Sequence, residues 1–510
     1  MNDAMSSFSR RDLIAASGAA ALFPQALRAQ TRSKARGSAF SWASLVAQAE
    51  RLSRSPYQDV APRAGAAKVN YDALHKAVFK DERMLWGDLP GDTSVRFFPV
   101  HQFAAQPVTI HVVEGGQAKP IVYDPTMFDM PADHPLAQMG PDAGFSGFRL
   151  MNAARDGDWL VFMGASYFRA SGAQKQYGLS ARAIAINTSK QPEEFPRFTS
   201  FWLERTGDSS VTIYALLDGQ SISGAYRFRC SFDKAGVHQD VDAALFPRRP
   251  IAELGLMPMT SMFWYDEAHR SIATDWRPEV HDSDGMAIHS SDGTAHFRPL
   301  ANPHVPRVSV FAERDPAGFG LIQRDRNFDH YQDDGVFYER RPSLWATPGK
   351  ALGAGTVRLY EFPTHSEYDD NVAAYWVPDA PVRPSKRIDA SYRLDWTSND
   401  VEAPSRVIAV RKGKIEVPPT EPESKDVRLV ADFAGLDAKD GIVAWTDVKG
   451  GTLLKKALYP VVGQQKMWRL VLDITPKGPE QIDILAQLRG PGDRPASELL
   501  HYPFYADMKP

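Results

Sequence analysis

Three stretches of the chain gather carboxylates, cations and rings where turns are expected. The first is Arg277-Pro278-Glu279-Val280-His281-Asp282-Ser283-Asp284-Gly285. The second is Arg324-Asp325-Arg326-Asn327-Phe328-Asp329-His330-Tyr331-Gln332-Asp333-Asp334. The third is Glu361-Phe362-Pro363-Thr364-His365-Ser366-Glu367-Tyr368-Asp369-Asp370-Asn371. Two carboxylates from separate loops, facing across a groove, can break a glycosidic bond: one gives a proton to the leaving oxygen, the other drives attack by water or attacks the sugar itself. An apolar, aromatic wall would hold the first of them protonated at neutral pH. The same acids also serve as turn-forming Asx residues and solvated faces.

Other chemistries fit less well. Asp282-Ser283-Asp284-Gly285 begins like a calcium loop. Counted from Asp282, however, Met286 and Ile288 stand at the fifth and seventh positions and Gly293 replaces the closing acid. No His-Glu-x-x-His zinc pattern occurs, and Cys230 is the only cysteine, which excludes a Cys-based cluster and an internal disulfide. Neither a metal nor another cofactor is expected. Gly144-Phe145-Ser146-Gly147-Phe148 lacks the spacing of a nucleophile elbow.

The elements that must position these loops are strands. Val108, Ile110 and Val112 alternate with polar residues, as do Val211, Ile213 and Ala215, and Val357 with Leu359. Gly, Pro and Asp cluster between such runs, at 131–133, 140–142 and 282–285. Trp42, Leu45, Val46, Ala49 and Leu52 fall at helical spacing, so a short helix starts near Phe40 and stops before Pro56. A second helix is expected over 71–79. No strand–helix rhythm runs through the chain, so a large, mostly antiparallel sandwich is expected from about 40 to 400. Ser391 to Trp396 still belongs to it as a strand. A polar, proline-bearing run then precedes Val427, Leu429, Ala431 and Phe433, which alternate again, as do Trp468 to Leu472 and Ile482 to Ala486. The expected organisation is a large β-sandwich over 30–402, a linker over 403–426 and a small β-sandwich over 427–510.

A length of 510 residues favours two domains. A formal net charge of -3 gives no reason to expect a nucleic-acid partner. At the N-terminus, Arg10-Arg11 precedes an apolar run from Leu13 to Phe23, too short to span a bilayer. Small residues follow to Ala29. This reads as a twin-arginine export leader over 1–29, with no membrane span in the mature chain.

The chain resembles the periplasmic glucan biosynthesis G/D family, which serves osmoregulated periplasmic glucans. The likeness runs from about Phe40 to Phe504. It is carried by Phe145-Ser146-Gly147-Phe148-Arg149, by 162–169 (FMGASYFR), by Tyr177-Gly178-Leu179-Ser180-Ala181-Arg182 and by 256–263 (LMPMTSMF). The three loops, 338–345 (YERRPSLW) and Ala374-Tyr375-Trp376 complete it. The leader is similar to the D branch.

That resemblance implies a mainly β fold: a large galactose-mutarotase-like β-sandwich followed by a small immunoglobulin-like one. It implies periplasmic chemistry on a β-glucan polysaccharide, with β-1,2-glucan cut inside the chain and inversion at the anomeric carbon. The family's general acid falls on Asp370 and its base-side carboxylate on Asp282. A long relay of water and hydroxyls is expected between base and substrate, with Tyr338 near it. Trp376, Tyr331 and Tyr338 are expected against sugar faces or the water chain. Arg324, Arg326 and Arg341 are expected to position carboxylates or sugar hydroxyls. Asp284 is a further binding candidate, and Trp345 fits core or subsite. Tyr368 stands where relatives often carry threonine. With Asp369 it leaves open the water path and which aspartate holds the proton. Transglycosylation, and a non-catalytic scaffold that holds glucan for a membrane glucan synthase, are the rival readings.

Overall fold

The computed structural model describes residues 37–398, 405–420, 422, 424–437 and 441–505. The leader expected over 1–29 lies outside them. The fold is mainly β, with sandwich-like sheets. Two compact units emerge. Of the described residues, one takes in those up to Thr260 together with Tyr375–Thr397; the other takes in Ser261–Ala374 and those from Ser398 onward.

In the first unit, long antiparallel strands follow one another through tight hairpins: Arg197–Gly207, Ser210–Asp218, Ile222–Asp233 and Gly236–Pro247, with Ile388–Thr397 beyond. A second sheet holds Val95–Pro99, Phe145–Met151, Asp158–Met163, Tyr167–Ala170 and Ser180–Arg182. Phenylalanines from the two sheets meet between them. Phe162 lies 5.8 Å from Phe201 and 5.2 Å from Phe228, and Phe168 lies 5.2 Å from Phe228. Full burial of each such ring stabilises the fold by about 2–3 kcal/mol. The outer face of the first sheet is covered by the helix Trp42–Ser53, whose Leu45 and Ala49 pack on Trp202, Leu216 and Phe246. Ser41 and Ser44 cap that helix reciprocally, each hydroxyl accepting the other's backbone N–H. The second expected helix forms over Tyr71–Lys76.

In the second unit, Gly285–His289 pairs with Ala295–Pro299 on one side and Gly318–Ile322 on the other. Ser343–Pro348 lies beside Gly318–Ile322. A Cβ at Gly318 would fall 2.7 Å from the Trp345 ring, so glycine there makes room for the indole. Late strands join the same sheet: Leu499–Tyr505 runs parallel to Ala295–Pro299, followed by Gln481–Gly490 and Val443–Lys449. Facing them are Arg406–Lys414, Val427–Ala434, Met467–Pro476 and Gly451–Pro460.

Two expectations about the C-terminal part need correction. The stretch 403–426 holds the strand Arg406–Lys414, so its described part is more than a linker. A bulge between Val407 and Ala409 puts the buried residues Val407 and Val410 three apart, which hides the alternation that marks a strand. The strands after 427 also share one core with Ala287, Phe297, Ile322 and Trp345. The hydrophobic interior therefore extends across the boundary drawn from sequence.

Candidate active site

The site begins at the short strand Phe263–Tyr265. Phe263 is paired in register with His281, and the Asp282 N–H donates to the Met262 carbonyl at 2.8 Å. Asn371, fully buried, grips the same Phe263 with its side chain. Its Oδ1 accepts the Phe263 N–H at 2.8 Å and its Nδ2 donates to the Phe263 carbonyl at 3.0 Å. The Asn371 Nδ2 also donates to the Phe362 carbonyl at 2.9 Å, closing the third loop on itself. Asp282 and Asp370 are thus each one residue from a contact to Phe263, Asp282 through His281 and Asp370 through Asn371. This juxtaposition of the first and third loops is what long-range folding adds to the sequence pattern.

The third loop is anchored elsewhere as well. Glu361 is buried and receives Arg298 at 2.9 Å, Arg307 at 2.8 Å and the Ala301 N–H at 2.7 Å. Burial opposes its charge, but the two arginines outweigh that and hold its pKa below the usual glutamate value. The Thr364 backbone is gripped by the Asn302 side chain, whose Nδ2 donates to the Thr364 carbonyl and whose Oδ1 accepts the Thr364 N–H, and the Thr364 hydroxyl donates to Asp369 at 2.8 Å. Asp369 is held inside the loop by that bond; Tyr368, Asp369 and Asp370 are all partly exposed.

Between the two loops runs a line of contacts. Asp282, 1% exposed, is ion-paired with the Arg341 guanidinium. That guanidinium lies over the Tyr338 ring, 3.9 Å from its centroid. Tyr338 stacks on Tyr331 at 5.7 Å and donates its hydroxyl to Glu367 at 2.6 Å. Glu367 also accepts from Arg277 at 3.0 Å, and Arg277 reaches Asp333 at 2.7 Å. Burial works against the Arg277 charge, but its carboxylates outweigh it and raise its pKa.

Behind this line, Tyr331 accepts from Gln323 Nε2 at 2.8 Å and faces His281 at 3.5 Å. His281 is fully buried. Burial disfavours its charge, but Glu279 at 3.2 Å and the neighbouring Asp284 and Asp266 raise its pKa to about 9. Burial pushes Glu279 and Asp284 upward in turn, with His281 pulling the other way. Among the described residues, Glu279, Asp325 and His330 bring ligand-capable atoms within 4.8 Å of one another. His330 Nδ1 and Asp325 Oδ2 already satisfy each other at 2.5 Å.

The family model described as "Periplasmic glucan biosynthesis protein, MdoG" matches residues 40–504. The chain belongs to the MdoG family. Glucans biosynthesis protein D 2 of Ralstonia nicotianae is 39% identical, with 98% of each chain covered. Glucans biosynthesis protein D of Xanthomonas campestris pv. campestris is also 39% identical, covering 96% of this chain and 95% of that protein. A galactose mutarotase related enzyme from Lactobacillus acidophilus aligns at 9% identity and TM-score 0.22, covering 50% of this chain and 92% of that one.

Within this chain, several of the candidate residues are buried or bonded to protein groups, and Trp345 takes the core place that was one of its two expected ones. Trp376 is fully buried, so it presents no face to a sugar. Trp345 packs in the shared core and against His289 at 4.9 Å. Tyr331 and Tyr338 are buried too; they hold the interior of the site and do not line its surface. The Arg324 guanidinium turns to Glu498 at 2.5 Å and the Val407 carbonyl at 2.7 Å, which ties the second loop to late strands. Arg326 donates to the carbonyls of Glu339 and Arg341 and so braces the turn that carries Tyr338. Asp284 accepts the backbone N–H groups of Arg324 and Asp325. Sequence reasoning missed Asn371, Glu367 and Arg277 as positioning residues. Their only signal was their place inside the polar loops.

Proposed function

We propose that the protein is a periplasmic glycoside hydrolase that cuts β-1,2-glucan inside the chain with inversion. The single observation that supports it most is the fastening of the Asp282 and Asp370 segments to Met262 and Phe263. One of the two carboxylates is half-exposed and the other is buried behind Arg341 and Tyr338. Membership of a family described as periplasmic and glucan-building supports the substrate class. Arg10-Arg11 and the apolar run behind it support export.

In this mechanism Asp370 protonates the leaving oxygen as the C1–O bond breaks. Water forms the new C1–O bond from the opposite face, and its proton ends on Asp282. Because Asp282 is buried, that proton travels through an intervening hydroxyl or water. Arg341 keeps Asp282 in place, and Tyr338 keeps Arg341 in place. After the product leaves, Asp282 gives its proton up to solvent through the same hydroxyl or water and solvent restores the Asp370 proton, so both carboxyls return to their starting states.

Transglycosylation is the second reading, favoured by Tyr368. A phenol two residues before Asp370, where relatives often carry threonine, adds a ring on which an acceptor sugar can be held in place of water.

The test is incubation of purified mature protein with β-1,2-, β-1,3-, β-1,4- and β-1,6-glucans, with Asp370→Asn as control. New reducing ends from β-1,2-glucan alone, absent in the variant, are expected. Longer or cyclic products without new ends would favour transfer. Binding without any product would favour a scaffold serving a membrane glucan synthase.

A further inference from the structure

Trp276 is a large hydrophobic side chain that stands 73% exposed. Its two neighbours are locked. Asp275 Oδ1 accepts both the Arg277 N–H and Arg277 Nε at 3.0 Å, and Asp275 Oδ2 accepts Arg277 Nη2 at 2.8 Å. This Asx turn, closed by a forked ion pair, holds the backbone of Trp276 at its tip. The same Arg277 continues inward to Asp333 and Glu367, with its guanidinium 5.9 Å from the Tyr338 ring centroid. Glu367 lies three residues before Asp370. Three carboxylates thus fix the neighbour of an exposed indole, and one of them belongs to the loop of the candidate acid.

We infer that Trp276 is a stacking platform for one β-glucosyl unit of the bound chain, within a few sugars of the cleaved bond. This rests on the glucan-cleaving function proposed above. A β-linked glucose carries its hydroxyls around the rim and C–H groups on its faces, so it offers an apolar face to a flat aromatic ring. An indole loses little rotamer freedom on binding, and a turn already rigid adds no ordering cost. The short reach from Arg277 to Glu367, with Trp276 one residue away, sets the distance at a few sugar units. The interaction is with the ground-state chain, remote from the bond that reacts, so it governs binding more than the chemical step.

The experiment compares wild type, Trp276→Ala and Trp276→Phe on linear β-1,2-glucans of graded length, with binding measured calorimetrically in the Asp370→Asn background. Trp276→Ala should raise KM, and Kd in the inactive background, by about tenfold while kcat stays within about twofold. Trp276→Phe should recover most of the loss. The melting temperature should be unchanged, because the indole packs on little. An unchanged KM and Kd in Trp276→Ala, or a fall in kcat with KM constant, would overturn the platform while leaving the cleavage reading standing. If wild type and Asp370→Asn neither bind nor cut any glucan, the cleavage reading itself falls and takes the platform with it.

Discussion

At the scale of single residues, burial separates side chains that the sequence could only group by type. Asp370→Asn removes the proposed proton donor, a partly exposed side chain, and should lower turnover by about a thousandfold or more with the melting temperature nearly unchanged. A collapsed fold instead would assign Asp370 a structural role. Asp282→Asn is different, because it leaves the Arg341 guanidinium buried without its carboxylate. Here a large rate loss should come with about 3–5 kcal/mol of destabilisation, read from urea unfolding. Tyr338→Phe keeps the ring under Arg341 and deletes only the hydroxyl that meets Glu367. It should cost about 1 kcal/mol of stability and at least tenfold in rate; full activity would remove the hydroxyl from the mechanism. The polar loops themselves were legible from residue type. Which way each ring faces was not: Trp376, Tyr331 and Tyr338 were open to a sugar face or to the water chain, and all three are interior. Aromatic residues serve core and carbohydrate alike, and only packing distinguishes the two.

At the scale of elements, the Phe263 strand is the part on which both loops depend. Asn371→Asp keeps the shape but cannot donate to the Phe263 and Phe362 carbonyls. It should destabilise the protein by about 2–4 kcal/mol and depress activity although Asn371 touches no substrate. Restoring neither property at low pH, where the new carboxyl could donate again, would count against the clamp. His281 gives this region a pH dependence of defined sign. Its pKa of about 9 in the fold exceeds the ordinary value of about 6.5. The stabilisation is therefore complete below about pH 6.5 and is lost as pH rises through about 9. Urea midpoints of wild type should fall more steeply from pH 7 to pH 10 than those of His281→Gln; parallel slopes would refute a charged His281. Strand alternation at 211–215, 357–359 and 482–486 was plain in the sequence and became strands. The strand Arg406–Lys414 was hidden because its bulge breaks the period of two.

At the scale of the whole chain, the late strands are part of the interior that supports the site. Arg324 in the second loop meets Glu498, 174 residues away, and Ala287, Phe297 and Ile322 share a core with strands after 427. A pairing so distant leaves no local trace, so the alternation after 427 reads from sequence as a small second sandwich. A truncated chain ending at 398 would expose that apolar face and leave Arg324 unpaired. It should be insoluble, or lack a cooperative melt by calorimetry. A soluble, active truncation would show that the early part folds alone.

The most direct measurement follows the anomeric signal of freshly released reducing ends by NMR while wild-type protein digests linear β-1,2-glucan. Inversion by Asp370 and Asp282 across one bond predicts that the α-anomer appears first and then equilibrates, with no signal from Asp370→Asn. An initial β-anomer, or release that persists in Asp370→Asn, would contradict it.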